Sequence, residues 1–139
     1  YLPYVVEPSV GVERILLAVL SQSYEEETLE DGETREILHL HPYLAPVKIA
    51  VLPLVNKLND TATQIFTELS KHYICEYDTS GKIGKRYRRQ DAIGTPYCVT
   101  IDYDTLEKGV VTVRERDTMK QTTVEVKDLV NYFQGKFEL

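Results

Sequence analysis

The residues in this chain best suited to chemistry are five cations crowded into eight positions: Lys82, Lys85, Arg86, Arg88 and Arg89, with Tyr87 among them. Ammonium and guanidinium groups at this density can neutralise successive phosphates of a polynucleotide, and the tyrosine can stack on an unpaired base or simply pack. Lys82, Lys85, Arg86 and Arg89 recur at steps of three or four, so on a helix they share one face. Taken alone, such a run is more commonly a solvated surface helix. Asp91 departs from a pure phosphate binder and can hold one of the arginines in place.

Two further groups stand out. Arg114, Glu115, Arg116 and Asp117 follow one another at the end of an apolar segment. On a strand Arg114 and Arg116 point to one face. Guanidinium forks and carboxylates carry directional hydrogen-bond patterns that suit base edges, and a surface ion-pair ladder is the plainer alternative. Near the start, Glu7 and Ser9 are two residues apart, hence on one side of an extended segment, where together they can hold an ammonium group. Arg14, in the first turn of the helix that follows, can face a nucleotide base or phosphate, although an ordinary helix start also accounts for this segment.

The elements that must position these groups are legible in part. Val12, Ile15, Leu16, Val19 and Leu20 mark one buried face of a helix. Residues 23–45 are polar and acid-rich, with a turn signal at Asp31-Gly32, and read as a connector, mobile over 23–36. A domain boundary is placed there, giving segments 1–45 and 46–139. In the second, Val47 to Leu54 is a buried strand, and Ala62, Ile65, Phe66, Leu69 and Tyr73 form the apolar face of a helix capped at Asn59 or Asp60. Tyr73 to Tyr77 is a second strand and the basic helix follows. Tyr97 to Tyr103 and Val110 onward form a hairpin with a longer loop. A last strand lies at Thr122 to Val126, and a final helix buries Leu129, Val130 and Phe133 before Gly135. The fold class is α/β: a mixed five-stranded sheet flanked by about three helices, preceded by a strand–helix segment.

Composition narrows the classes further. The 139 residues carry a formal net charge of −6. Residues 1–45 hold two arginines against nine acids, and the remainder holds 14 cations against 13 acids, so the acidity belongs to the first third. No apolar run approaches the roughly 20 residues of a membrane-spanning helix, so no membrane partner is expected. The chain opens Tyr1-Leu2-Pro3-Tyr4, with neither an initiator Met nor the basic start of a signal peptide, and reads as a piece of a longer protein. Cys75 and Cys98 lack metal spacing, and His39, His41 and His72 lack zinc-type partners, so reduced thiols and no metal site are expected.

Four separated segments, in order, resemble the C-terminal part of the dimeric glycyl-tRNA synthetases of class II. Val6 to Arg14, with the apolar helix after it, resembles the third class II motif. His41-Pro42-Tyr43-Leu44-Ala45-Pro46 through Leu54 resembles the junction into the anticodon-binding domain. Ser80 to Asp91 with Gly94-Thr95-Pro96 resembles the middle of that domain, and Val113 to Met119 its late strand. The resemblance implies a cytoplasmic, homodimeric glycine–tRNA ligase that uses ATP with Mg2+, residues 1–45 being the end of its catalytic domain and 46–139 its anticodon-binding domain. It implies that Glu7 and Ser9 hold the amino group of glycine and that Arg14 is the catalytic arginine that contacts ATP. It makes Lys82, Lys85, Arg86 and Arg89 candidates for the tRNA backbone, and Arg114, Glu115, Arg116 and Asp117 candidates for anticodon bases. The first two class II motifs are absent from this chain, so it is expected to be inactive alone and to bind no cofactor alone. The alternatives are a non-catalytic, synthetase-like accessory subunit that binds nucleic acid, and a related class II synthetase for threonine, proline or histidine.

Overall fold

The computed structural model describes all 139 residues. Residues 1–11 form no regular secondary structure, are exposed and lead into α1 (Val12–Ser23). Two strands follow, β1 (Tyr24–Thr28) and β2 (Thr34–Leu38), paired as an antiparallel hairpin. The segment expected to be an unstructured connector is therefore a regular element. Its turn is the Asp31-Gly32 signal, and the second strand alternates, with Arg35 and Ile37 turned inward.

The main sheet has the order β4-β3-β5-β6-β7. Its central strand, β3 (Ile49–Pro53), is buried along its whole length, as its apolar run predicts. It pairs in parallel with β4 (Cys75–Tyr77) on one side and β5 (Tyr97–Ile101) on the other. β6 (Val110–Glu115) and β7 (Gln121–Glu125) extend the sheet antiparallel to β5. The expected mixed five-stranded sheet is thus present. α2 (Asn59–Ser70) joins β3 to β4 and α3 (Ile83–Ile93) joins β4 to β5. One crossover runs to the left of β3 and the other to its right, and right-handed crossovers then require the two helices to lie on opposite faces.

The side chains of β3 sort accordingly. Ile49 and Val51 join Ala62, Ile65 and Leu69 of α2, and Leu129 and Phe133 of α5 (Leu129–Phe133), in the main core. Ala50 and Leu52 face α3, with Cys98, Ile83 and Tyr87. One further helix, α4 (Tyr103–Lys108), occupies the loop between β5 and β6. Sequence periodicity missed it because one and a half turns carry no repeat. It forms because Asp102 accepts from the Thr105 N–H while the Thr105 hydroxyl accepts from the Asp102 N–H, a closed capping box.

The expected buried face of α1 is not buried within this chain. Val12, Ile15, Leu16 and Leu20 are exposed, and Val19 is half-buried.

Candidate nucleic-acid interface

In an open sheet with parallel strands, ligands settle beyond the carboxyl ends of the strands, where crossovers diverge to opposite faces. Here that place lies between the ends of β3 and β5, stitched by the Leu54 N–H to the Ile101 carbonyl at 2.8 Å. Leu54 and Tyr103 stand exposed on its two sides, 39% and 53% accessible. The Asp78–Lys82 loop, beyond the end of β4, completes the edge and delivers the chain into α3. Lys82 is the N-cap of α3 and Lys85 lies in its first turn, and both are exposed. Lys57, in the short 3-10 turn after β3, is exposed near the same edge.

The five-cation run does not present one face. The buried side of α3 is Ile83, Arg86, Tyr87, Gln90 and Asp91, so polar residues occupy most of the stripe that meets the sheet. Arg86 is enclosed and donates to the carbonyls of Pro53 at 2.7 Å and Asp78 at 3.1 Å, tying the carboxyl ends of β3 and β4 together. It is a scaffold of this edge and is removed from the phosphate contacts expected of it. Tyr87 packs: its hydroxyl lies 2.6 Å from the Thr100 hydroxyl, and the Arg114 guanidinium sits over its ring at 4.7 Å. Arg89 pairs with Asp78 and donates to the Ser80 carbonyl at 2.6 Å while staying half-exposed. Burial on its own would push the Asp78 carboxyl up, but the Arg89 hydrogen bond, the Ser80 N–H and the charges of Arg89 and Arg86 together hold it below its ordinary value.

The Arg114–Asp117 segment lies at the other end of α3. That helix has 11 residues, which at about 1.5 Å each separate the two candidate groups by roughly 16 Å. Arg114 and Arg116 do share a sheet face, but it is the covered one, and they are 4% and 2% accessible. Arg114 clasps Asp91 with two hydrogen bonds, 2.9 and 3.1 Å. Burial alone would lower the pKa of this guanidinium; its bonds to the Asp91 carboxylate and the charge there outweigh that and raise it. Arg116 donates to the carbonyls of Gly94 and Leu40, each at 2.8 Å, and to the Asp117 carboxylate. A guanidinium whose donors are committed inside the protein has none to offer a base edge, so base reading by Arg114 and Arg116 is corrected to a structural role. Asp117 also takes His39 Nδ1 at 2.7 Å. Burial would raise the Asp117 carboxyl, but its bonds to Arg116 and His39 win and keep it below its ordinary value. Glu115, half-buried, accepts from the Thr118 hydroxyl at 2.7 Å.

Glu7, Ser9 and Arg14 are all exposed. Arg14 lies in the first turn of α1, as the spacing predicts, and Glu7 and Ser9 precede it in a segment with no regular secondary structure. The residues that sequence reasoning missed at the carboxyl edge are Leu54, Lys57 and Tyr103. The signal available for them was positional, since each follows a strand that runs parallel in the sheet.

Comparisons with known proteins place the family and the fold. The chain is 57% identical over 137 residues to a glycine–tRNA ligase of Lachnospira eligens and 56% identical over 138 residues to one of Lachnoclostridium phytofermentans. Each alignment takes in 99% of this chain but 30% of the relative, so the chain spans under a third of the length of the curated relatives it matches. Among solved structures, the RNA binding domain of threonyl-tRNA synthetase from Cryptosporidium parvum Iowa II superposes with a TM-score of 0.66 at 25% identity, over 70% of this chain and 25% of that one. The family described as "Anticodon binding domain" matches residues 48–136, the whole of the five-stranded sheet and its helices, and the chain belongs to that family.

Proposed function

We propose that this chain is the anticodon-recognition end of a glycine–tRNA ligase, and that the carboxyl edge of its sheet receives the anticodon loop. The observation that carries the proposal is the meeting of exposed cations and an exposed aromatic ring at one crevice of an anticodon-binding fold: Lys82, Lys85 and the half-exposed Arg89 beside Leu54 and Tyr103. The two lysines lie against phosphates and fix the register of the loop, while Arg89 stays paired with Asp78 beside them. Tyr103 stacks on an unpaired base, and the carboxylates of Asp102 and Asp104 beside it accept from base amino groups. Glu115 and Asp117, at the far end of α3, meet the tRNA only outside the anticodon loop.

Residues 1–45 are then the end of the catalytic domain and 46–139 the anticodon-binding domain. The rest of the catalytic domain covers the exposed apolar face of α1 and brings Glu7 and Ser9 to the amino group of glycine. ATP with Mg2+ would supply the adenylyl group that activates the glycine carboxylate, the carboxylate oxygen bonding to the α-phosphorus as pyrophosphate leaves. Arg14, always charged and planar, suits a place against adenine or the phosphates. This chain alone does not form glycyl-adenylate, because most of the amino-acid and nucleotide pocket lies in the remainder of the protein. That protein is a cytoplasmic homodimer in this reading.

The test is binding of the chain to a glycine tRNA transcript and to the same transcript with its anticodon bases replaced. A loss of about 1–3 kcal/mol per replaced base is expected. Tyr103→Ala should cost about 1–3 kcal/mol with the native transcript by removing one stacking contact. Equal affinity for both transcripts, together with no effect of Tyr103→Ala, overturns the assignment of this edge.

A further inference from the structure

α1 passes into the hairpin with no linker. Tyr24 is both the C-cap of α1, its N–H bonded to the Leu20 carbonyl, and the first residue of β1. β2 then lies against α3 and buries Arg35, which is 1% accessible. The Arg35 guanidinium has three neighbours on separate elements. Its Nε lies 3.1 Å from Glu27 Oε2, its cross-strand partner in the hairpin, and its Nη1 lies 3.6 Å from Asp91 Oδ2 of α3. Both contacts are close enough for ion pairing but off the line of a hydrogen bond. Its Nη2 donates to the Arg116 carbonyl, just past β6, at 3.0 Å. Asp91 is in turn clasped by Arg114 of β6. Around this centre, Arg116 donates to the Leu40 carbonyl, and the His39 ring lies between Asp117 and Glu25 at 2.7 and 2.9 Å. At Gly94 a Cβ would stand 2.9 Å from Leu40 Cδ1 and 3.2 Å from the Leu38 carbonyl oxygen, so the backbone after α3 runs close against the end of β2.

A joint built from forks, carboxylates and carbonyls is directional, whereas two apolar surfaces can slide over each other. We infer that Arg35 is a positioning residue that holds α1, and with it Glu7, Ser9 and Arg14, in one orientation to the carboxyl edge of the sheet. The inference rests on the functional reading above. In a ligase, a fixed spacing between the edge that seats the anticodon and the segment that meets glycine and ATP makes anticodon binding place the acceptor end of the tRNA. A loosened joint lets the anticodon bind without placing that end. Arg35 therefore acts on turnover with whole tRNA and leaves tRNA affinity and adenylate formation alone.

The experiment uses the full-length protein with Arg35→Gln and Arg35→Lys. Spin labels at Ser21 on α1 and Leu106 on α4 report the joint directly. The wild type should give one narrow distance distribution, Arg35→Gln a broad one, and Arg35→Lys an intermediate one. In kinetics, Arg35→Gln should lower kcat for glycylation of whole tRNA by about ten-fold or more with KM little changed, since small misplacements far from the chemistry cost this much. Glycine-dependent pyrophosphate exchange, and charging of an acceptor minihelix that lacks the anticodon, should stay at the wild-type rate. A broad distribution in the wild type, an unchanged one in Arg35→Gln, or equal loss on whole tRNA and minihelix overturns the inference. Should Arg35→Gln fail to fold, Glu27→Gln removes one anchor of the same guanidinium from its exposed side, and the same readouts decide. A wild type without glycine-dependent exchange sinks the functional reading instead, and the label distances still decide the joint.

Discussion

Asp91→Asn removes one negative charge from a place where three guanidiniums converge. Arg114 approaches that carboxylate at 2.9 and 3.1 Å, Arg35 at 3.6 Å and Arg88 at 3.5 Å. Arg88 is half-exposed and can turn to water, so its loss is that of a surface pair. Arg114 and Arg35 are enclosed and cannot turn away, which leaves two cations buried around a neutral amide. Taking away one partner of a buried pair costs about 3–5 kcal/mol, because the charge left behind is uncompensated. For a unit of this size that lowers the thermal midpoint by roughly 10–20 °C. Scanning calorimetry of the chain, beside near-ultraviolet circular dichroism, measures it. A double-mutant cycle with Arg114→Met isolates the pair, and its coupling should reach about 2 kcal/mol or more. The deficit should persist at high salt, since screening hardly reaches a buried pair. A midpoint for Asp91→Asn within about 3 °C of wild type, the effect of an ordinary surface substitution, would refute the placement of this cluster in the interior.

Other expectations follow from single sites. Gly94→Ala should destabilise by about 1–2 kcal/mol or more in urea denaturation, because φ is 82° there and the new methyl would meet Leu40 and Leu38. Asp78 and Asp117 both titrate below the ordinary carboxylate range, so the stability they add is complete above their unfolded value, about 4, and is lost as pH falls through their lower folded values. Denaturation midpoints against pH should drop in that acidic window, and Asp78→Asn should make the drop shallower. Burial pushes the Cys98 thiol up to about 12 and the Cys75 thiol up to about 11, so neither should react with iodoacetamide at neutral pH until the chain unfolds, as mass spectrometry would register.

The legible parts of the fold are those where side-chain type and burial agree. The apolar run from Val47 to Leu54 marks a covered strand, formed over Ile49–Pro53, and Ala62, Ile65 and Leu69 mark the inner stripe of a helix. Legibility fails where polar groups are buried. α3 turns Arg86, Gln90 and Asp91 inward, which a search for apolar periodicity reads as outward. The Gln90 side-chain amide oxygen (Oε1) accepts from the Thr95 hydroxyl at 2.7 Å, a partner that only the fold supplies. The hairpin was hidden for the same reason. Glu25, Glu26 and Glu27 have poor strand propensity, yet β1 forms because Glu25 and Glu27 face His39 and Arg35 across it. Charge in a sequence does not reveal whether its partner is water or another side chain. Charge alone therefore marks alike Lys82, Lys85 and Arg89, which stay exposed, and Arg86, Arg114 and Arg116, which are enclosed.

The division of labour between lysine and arginine permits a sharper expectation about RNA. The enclosed cations are all arginines, each with two or more internal contacts that a planar fork can meet at once. The cations of α3 that stay free of internal partners are Lys82 and Lys85, compact charges suited to phosphate. RNA can displace counterions only through charges it reaches, so the five-cation run should act on salt dependence as two free lysines and not as five. Each phosphate neutralised on a single strand contributes about −0.7 to the slope of log K against log salt. Lys82→Ala with Lys85→Ala should therefore flatten the slope by about 1.4. Arg86→Met should lower the stability of the chain, by loosening the ends of β3 and β4, and leave the slope as it was. Titrations with an anticodon stem-loop at several salt concentrations, run well below each variant's unfolding midpoint, separate the two. An Arg86→Met slope that flattens as much as that of the lysine pair would mean that Arg86 leaves Pro53 and Asp78 for the RNA, and the scaffold role assigned to it would fall.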